Sequence, residues 1–440
     1  MTSRTDQIGR TQTLVYDLAD HVIAQTNALG ETTSYIYETC LLQATVSPLG
    51  LRVTNAYDRF NNLVTTQNPL GFVWTNLFDL MGRPVGTVDP LGDQTTVVWN
   101  SASQKIATYD QVGSITSYGY DYANRPLWVQ DPRNYVTTTI WNARDPIARQ
   151  DALGYLYSSV FDSLDRVVST IDPMGLLRQT IFDGAGQTIA SVDPAGFRAS
   201  TVYDPAGNTL AMQNANGYYA TNVYSANSNR IAAMQNALGG MYSLVYDLAG
   251  QTLSTQNERS FVTSLSYDLA GRPLATQDAA SGVWTTGYDL DGRAVSSTDP
   301  LNRTGTTVFD AASRAVASMS PLGFVDTTVY DPANRAIAQI NALGFAATTV
   351  FDPASRIVAT VNPLGFALSF AYDPASNRVQ SQDARNNLWT TVFDALHRAI
   401  ATVDPLNYRV TQAYNGVGQP TGRQDPRNNY VTQLYNNRGM

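Results

Sequence analysis

Few side chains in this chain have the reach for acid–base or nucleophilic work. There are two histidines, His21 and His397, and one cysteine, Cys40. Both histidines read as occupying the place that arginine otherwise holds after a recurring turn, and so as surface substitutions. A serine or cysteine nucleophile needs a base beside it. Neither Cys40 nor any serine stands in a recognisable nucleophile motif, which argues against acyl transfer and leaves the chain read as non-enzymatic, with no catalytic residue. Aspartates are plentiful, and paired carboxylates can hydrolyse glycosides, but these recur at equivalent turn positions, where turn formation accounts for them. Rows of turn aspartates could offer oxygen ligands to calcium. No Asp-x-Asp-x-Asp-Gly loop occurs, however, and no metal or cofactor site is assigned. The remaining candidates are aromatic: Trp74, Trp128, Trp284 and Trp389 depart from the usual residue types of their positions and could stack on sugar rings. The competing reading makes them rungs of aromatic ladders that hold strands together.

Elements with a short period must position these residues. An aromatic recurs from Tyr16 to Tyr435 with gaps of 21 residues, apart from two of 20 and one of 22. Asp usually follows it, then Gly, Ser or Asn three residues later, then Arg. The pattern is carried by Tyr203-Asp204 with Gly207, Tyr267-Asp268 with Gly271-Arg272, Tyr288-Asp289 with Gly292-Arg293, and Tyr330-Asp331 with Arg335. This is the first turn. About ten residues on comes a second, as in Asp89-Pro90-Leu91-Gly92 and Asn362-Pro363-Leu364-Gly365. An Asp or Asn side chain accepts from backbone N–H groups further on, Pro presets φ, and Gly tolerates a left-handed exit. Each repeat therefore reverses direction twice, and the short β-rich runs between the turns predict an antiparallel meander. The fold class is all-β, with about 21 tandem β-hairpin repeats in a continuous strip. The alternative is a parallel β-helix with coils of similar length. Counting the key aromatic as position one, aromatics at sixteen and tryptophans at eighteen are expected on the face of the next repeat's aromatic, because side chains alternate with period two.

Composition sets further bounds. Charged residues make up 15% of the chain, the net charge is −8, Lys105 is the only lysine, and Glu31, Glu38 and Glu258 are the only glutamates. An acidic chain without clustered Lys and Arg argues against nucleic acid as a partner. One cysteine allows neither an internal disulfide nor a thiolate zinc site. No apolar run reaches the length of a membrane span, and residues 1–15 do not read as a signal peptide. Rows of Asp and Arg are expected to neutralise each other and stack on the aromatics. An anion-binding stripe is the sharper alternative.

Tyr-Asp, three residues, Arg, then Asp-Pro-Leu-Gly, repeated throughout, resembles the YD repeats of the RHS repeat superfamily. That superfamily includes bacterial toxin-delivery proteins, insecticidal toxin-complex components and the animal teneurins. The resemblance implies a β-hairpin strip curled into an open spiral or ring-like shell, an extracellular or cell-surface location, and a role as scaffold. A carbohydrate- or protein-binding adhesion module and a fragment of a longer array are the alternatives. In toxin members a core-associated segment opening with Asp-Pro-x-Gly-Leu follows the array. Asp172-Pro173-Met174-Gly175-Leu176 matches that opening but lies mid-array, and reads as a repeat variant. Residues 1–440 are read as a single array that begins and ends mid-repeat, with Tyr435 to Met440 inside a first turn, no visible cap and no cargo domain. Its terminal strand edges call for another chain or flanking repeats. At roughly 4.8 Å per strand, 42 strands make about 200 Å of strip, or roughly one turn of a ring of assumed 60 Å diameter. On that estimate the chain alone would not enclose a protein cargo.

Overall fold

A computed structural model describes residues 1–226 and 228–436. Consecutive runs of five or six residues pair antiparallel in chain order, from β1 (Thr2–Thr5) to β42 (Tyr430–Thr432), in one 42-stranded sheet. Antiparallel pairing excludes the parallel β-helix. One repeat shows why the sequence folds this way. β32 (Val325–Tyr330), β33 (Ala336–Ile340) and β34 (Ala346–Phe351) are rich in Val, Ile, Ala and Thr and carry no proline, while the five-residue connections hold the Asp, Asn, Pro and Gly.

The two turns share one backbone design. In the first, the Asp331 N–H donates to the Arg335 carbonyl (3.0 Å) and the Asn334 N–H to the Asp331 carbonyl (3.1 Å). In the second, Asn341 and Phe345 (3.0 Å) and Gly344 and Asn341 (2.8 Å) make the same pair of bonds. The fourth turn residue is left-handed in both, with φ of 67° at Asn334 and 80° at Gly344. Among the described residues such residues recur every ten or eleven positions from Gly9 to Asn428, apart from three irregular turns. Gly accepts this conformation freely and Asn more readily than most. A bulge accompanies the first turn: the register shifts between Val329, opposite Ala338, and Tyr330, opposite Ala336.

The exceptional gaps in the period are irregular turns. Between Tyr37 and Tyr57 the hairpin is cut to Thr39-Cys40, with Glu38 opposite Leu41. Between Trp141 and Phe161 the turn bonds Asn142 to the Asp145 carbonyl, and β15 (Ala148–Gln150) has three residues. The gap of 22 falls at Ser225–Arg230, where the Ser225 N–H reaches the Arg230 carbonyl (2.9 Å).

Two compact units are present. One joins Met1–Gln94 to Val223–Thr349, and the other joins Thr95–Asn222 to Val350–Met440. Within each, two stretches of strip lie edge to edge, the second turns of the earlier against the first turns of the later. In the first unit, Arg10 donates to Gln251 (2.8 Å), Arg272 pairs with Glu31 (3.4 Å), and Asp291 accepts from Ser47 Oγ (2.8 Å) and the Leu49 N–H (2.9 Å). In the second, Arg133 donates to the Asp394 carbonyl (2.9 Å), and Asn415 meets Met174 Sδ (3.3 Å). The strip thus meets itself after 241 residues at Arg10 and at Met174.

A conventional core is missing from this arrangement. The chain exposes 25845 Å², where a compact monomer of its mass would expose about 16,000 Å². The buried apolar residues are alanines: Ala44, Ala190, Ala395 and Ala401. Stability must reside in the hydrogen-bond ladder and in contacts between adjacent repeats.

Candidate functional site

The residues singled out by the repeat form one recurring cluster at the first turn. Asp289 Oδ1 accepts the N–H groups of Asp291 and Arg293 (both 3.0 Å), while its Oδ2 takes the Arg293 Nε–H (2.7 Å). Arg293 lies over the Phe309 ring of the next repeat, 4.9 Å from its centroid, and donates to the Asp310 carbonyl (3.2 Å). One guanidinium therefore ties its own turn to the following one by charge, stacking and a backbone bond. Arg272 does the same with Asp268 (2.6 Å) and Tyr288 (4.7 Å). Asp331 pairs with Arg335 (2.6 Å), and Asp204 substitutes Asn208 for the arginine (2.9 Å). Gly207, Gly271 and Gly292 supply the left-handed residue.

The tyrosines reach the other way, towards the previous repeat. Tyr203 donates to the Thr188 carbonyl (3.0 Å), Tyr267 to Thr252 (2.9 Å), Tyr288 to Pro273 (2.7 Å) and Tyr330 to Ala315 (3.2 Å). The acceptor is in each case the first strand residue after the preceding first turn. Partial burial pushes the Asp268 and Asp289 carboxyls up, but the N–H groups and guanidinium of Arg272 and Arg293 outweigh it and hold both below the usual carboxylate range. These aspartates are committed as anions to the turn.

His21 stands in the arginine place: it bonds Asp17 (2.9 Å) and stacks on Tyr37 with ring centroids 4.7 Å apart. His397 does not. It is the left-handed fourth residue of its turn, with φ of 63°, and bonds Asn377 (3.0 Å), while Arg398 behind it takes the arginine place against Asp394 (2.7 Å) and Tyr414 (4.8 Å). Counting one residue too far placed His397 with the arginines. Asp172 caps the N–H groups of Met174 and Leu176 (both 2.9 Å), so Asp172 to Leu176 is an ordinary second turn. Asn437 to Met440 lie outside the described residues.

The four tryptophans separate into two kinds. Trp74, Trp284 and Trp389 occupy equivalent places, opposite Thr66, Thr276 and Ser381. Trp128 lies opposite Gly119, and so on the face of the residue that precedes the key aromatic, the other side of the sheet. A Cβ at Gly119 would fall 2.1 Å from the indole Nε1, so the missing side chain is the space the indole fills. Equivalent pairs elsewhere read Val202 with Ala211 and Val329 with Ala338. Large and small have changed places. By this geometry Trp128 packs over Gly119. Trp74 lines a cavity of about 380 Å³ with Pro69, Asp291 and Asn334 where the two stretches of the first unit meet.

The small residue at Trp128's position was missed by sequence reasoning. Eight residues after the key aromatic, the chain has Gly86, Ala190, Ala211, Ala338, Ala401 and Gly422, and Ala190 and Ala401 are buried. The recurrence of Gly, Ala and Ser there was available in the alignment of repeats.

No protein-family model matches the chain, and no curated protein does. Solved structures do match. Over 99% of this chain, the crystal structures of TcdB2-TccC3-TEV and TcdB2-TccC3 superpose with TM-scores of 0.56 and 0.54 at 13% and 14% identity. That of TcdB2-TccC3 without its hypervariable C-terminal region matches 100% of the chain with a TM-score of 0.54 at 13% identity. The chain spans 35% to 37% of the length of those solved chains. At that identity the likeness to these solved structures is one of fold.

Proposed function

We propose that this chain is a non-enzymatic structural module, one array over residues 1–440, of an RHS/YD-type assembly that is secreted or held at a cell surface, with another protein chain as its partner. The observation that carries the reading is the self-reference of the charged repeat residues. Asp268, Asp289 and Asp331 spend their carboxylates on their own turns, Arg293 spends its guanidinium on its own and the next repeat, and Arg272 does so while also pairing with Glu31 across the seam. His21 and His397 are likewise engaged within the array. A polar inventory so used holds neighbouring repeats together and, among the described residues, leaves no acid–base pair poised over a space for substrate. The fold match to toxin-complex chains supports the same class of role.

Adhesion to carbohydrate is the second reading, favoured by the exposure of Trp284 and Trp389. Glycan-array binding by the purified chain decides between them. The scaffold reading expects no retained glycan. Retention that disappears in Trp284→Ala and Trp389→Ala, with unchanged melting, replaces it by the adhesion reading.

A further inference from the structure

The seams inside each unit join two different edges of the strip, and each leaves one copy of both edges uncovered. Where a second turn lies in a seam, its third residue is partly shielded. Ile8, Leu29, Leu49, Leu70, Leu91, Val112, Leu153 and Met174 are 38% to 49% exposed. Where no later stretch lies over it, the same residue stands in solvent: Leu238, Leu301, Leu322, Leu343, Leu364 and Leu406 are 70% to 92% exposed. At other second turns the place holds Ala, Asn or Arg, as at Asn216, Arg259, Ala280 and Arg385, but among these apolar residues the difference measures the cover.

The opposite edge shows the complementary contrast. First turns that lie in a seam hold their second-residue leucines, Leu248, Leu269 and Leu290, at 53% to 69% exposure, or carry small residues such as Ala311-Ala312 and the buried Ala395. The free first turns of the earlier stretches carry Leu18, Phe60, Leu80, Met81, Tyr122 and Leu164, all strongly exposed. Large apolar side chains on an exposed edge mark a surface that is covered in the working state. In the first unit the two free edges are the first turns of Met1–Gln94 and the second turns of Val223–Thr349, on opposite sides of its seam.

We propose that a second copy of this chain docks its free first turns, led by Leu18, Phe60, Leu80 and Met81, on the free second-turn leucines Leu301, Leu322 and Leu343, continuing the seam that the chain already makes with itself. The second unit offers the same pair of edges, with Tyr122 and Leu164 on one and Leu364 and Leu406 on the other. The internal seam argues for this occupant, since it joins these two edge types, with backbone caps such as Asp291 to Leu49 setting the spacing. Between copies, leucine would meet Leu, Phe and Met, as inside the chain the turn of Ala28 meets Leu269 and Ala270. Because the two surfaces differ, the contact is heterologous and leaves one edge of each kind free at the ends of any assembly. This goes beyond the scaffold reading and stands or falls on mass alone, whatever the module's biological role.

The test is sedimentation velocity on the full chain and two variants across a wide concentration range. The wild-type chain is expected to show a weight-average mass that climbs from 47.8 kDa towards multiples of it. Leu322→Asp/Leu343→Asp and Leu80→Asp/Met81→Asp each remove one edge, and each alone should remain at monomer mass. Mixed, they should form a one-to-one complex, since each keeps the edge the other lacks. All substituted residues are exposed, and unchanged circular dichroism and melting identify a folded variant; an unfolded one is replaced by the single substitution. Wild-type chain that stays at monomer mass overturns the proposal and leaves the edge to a different chain. Self-association unaffected by either pair, or variants that fail to complement on mixing, also overturns it.

Discussion

Exchanging Trp128 and Gly119 for the pair used elsewhere in the strip tests whether the indole is packing or recognition. Trp128 and Gly119 face each other across β12 (Ile115–Tyr120) and β13 (Pro126–Gln130). Trp128→Ala uncovers the surface of an indole that is largely out of water and leaves a gap over Gly119, at a cost of about 2 kcal/mol for a partly buried site. Gly119→Val drives a side chain into an indole atom that a Cβ would already approach to 2.1 Å, and overpacking of this kind costs about 2 kcal/mol. The double variant recreates the valine and alanine of Val202 with Ala211, and should lie within about 1 kcal/mol of wild type. The coupling between the sites is then about 3 kcal/mol, at the upper end for residues in contact. Repeat arrays open locally, so the assay is hydrogen exchange read by mass spectrometry on peptides covering 115–140. Each single variant should accelerate exchange there by about 30-fold, and the double should return it to within about fivefold. Additive effects in the double variant would refute the packing argument and restore Trp128 as a candidate ligand contact.

The turn aspartates make a second prediction. Asp310 caps the N–H groups of Ala312 (2.9 Å) and Arg314 (3.0 Å) and pairs with Arg314 Nε (2.7 Å). Asp310→Ala should cost about 2.5 kcal/mol from two caps and a part-exposed ion pair, seen as roughly 70-fold faster exchange in residues 304–319. Asp310→Asn keeps the acceptor, as Asn341 does in its own turn (3.0 Å to Leu343 and to Phe345), and should change exchange only a few-fold. The strip should also be acid-labile. The Asn62 and Asn208 side chains hold Asp58 and Asp204 below the ordinary carboxylate range, as the Arg272 N–H and guanidinium, outweighing burial, hold Asp268. With folded values depressed, the unfolded chain binds more protons, so stability is complete above about pH 4 and falls as pH drops through the folded values. Thermal melts between neutral pH and pH 2 should show that decline begin near pH 4, and a flat profile would contradict it.

The turns were legible because each is decided by five consecutive residues: an Asp or Asn that caps, a Pro or small residue, and a residue that accepts positive φ. Asp289 to Arg293 states its conformation in its own letters. The face of Trp128 was harder to read, since counting along one strand from the key aromatic ignores the bulge that sets Ala336 opposite Tyr330 and Ala338 opposite Val329. His397 was misplaced by one position for want of the same frame. The seam was not legible at all. Its separation of 241 residues between Arg10 and Gln251 results from small twists accumulated over about 23 strands, and no local pattern states a sum.

The two turns are alike in backbone and unlike in what they present, and this sets rules for how such a chain can lengthen. Arg293 reaches Asp289 in its own repeat and Phe309, Asp310 and Ser313 in the next, so a duplicated or deleted block of 21 residues meets correct neighbours on both sides and disturbs none of these contacts. A block of ten or eleven would be equally acceptable to the hydrogen-bond ladder. It would nevertheless transpose every edge downstream, laying second turns where first turns had docked and turning Tyr and Arg away from the partners they bridge. The strip is therefore free to grow in whole steps and barred from half steps, by side chains alone.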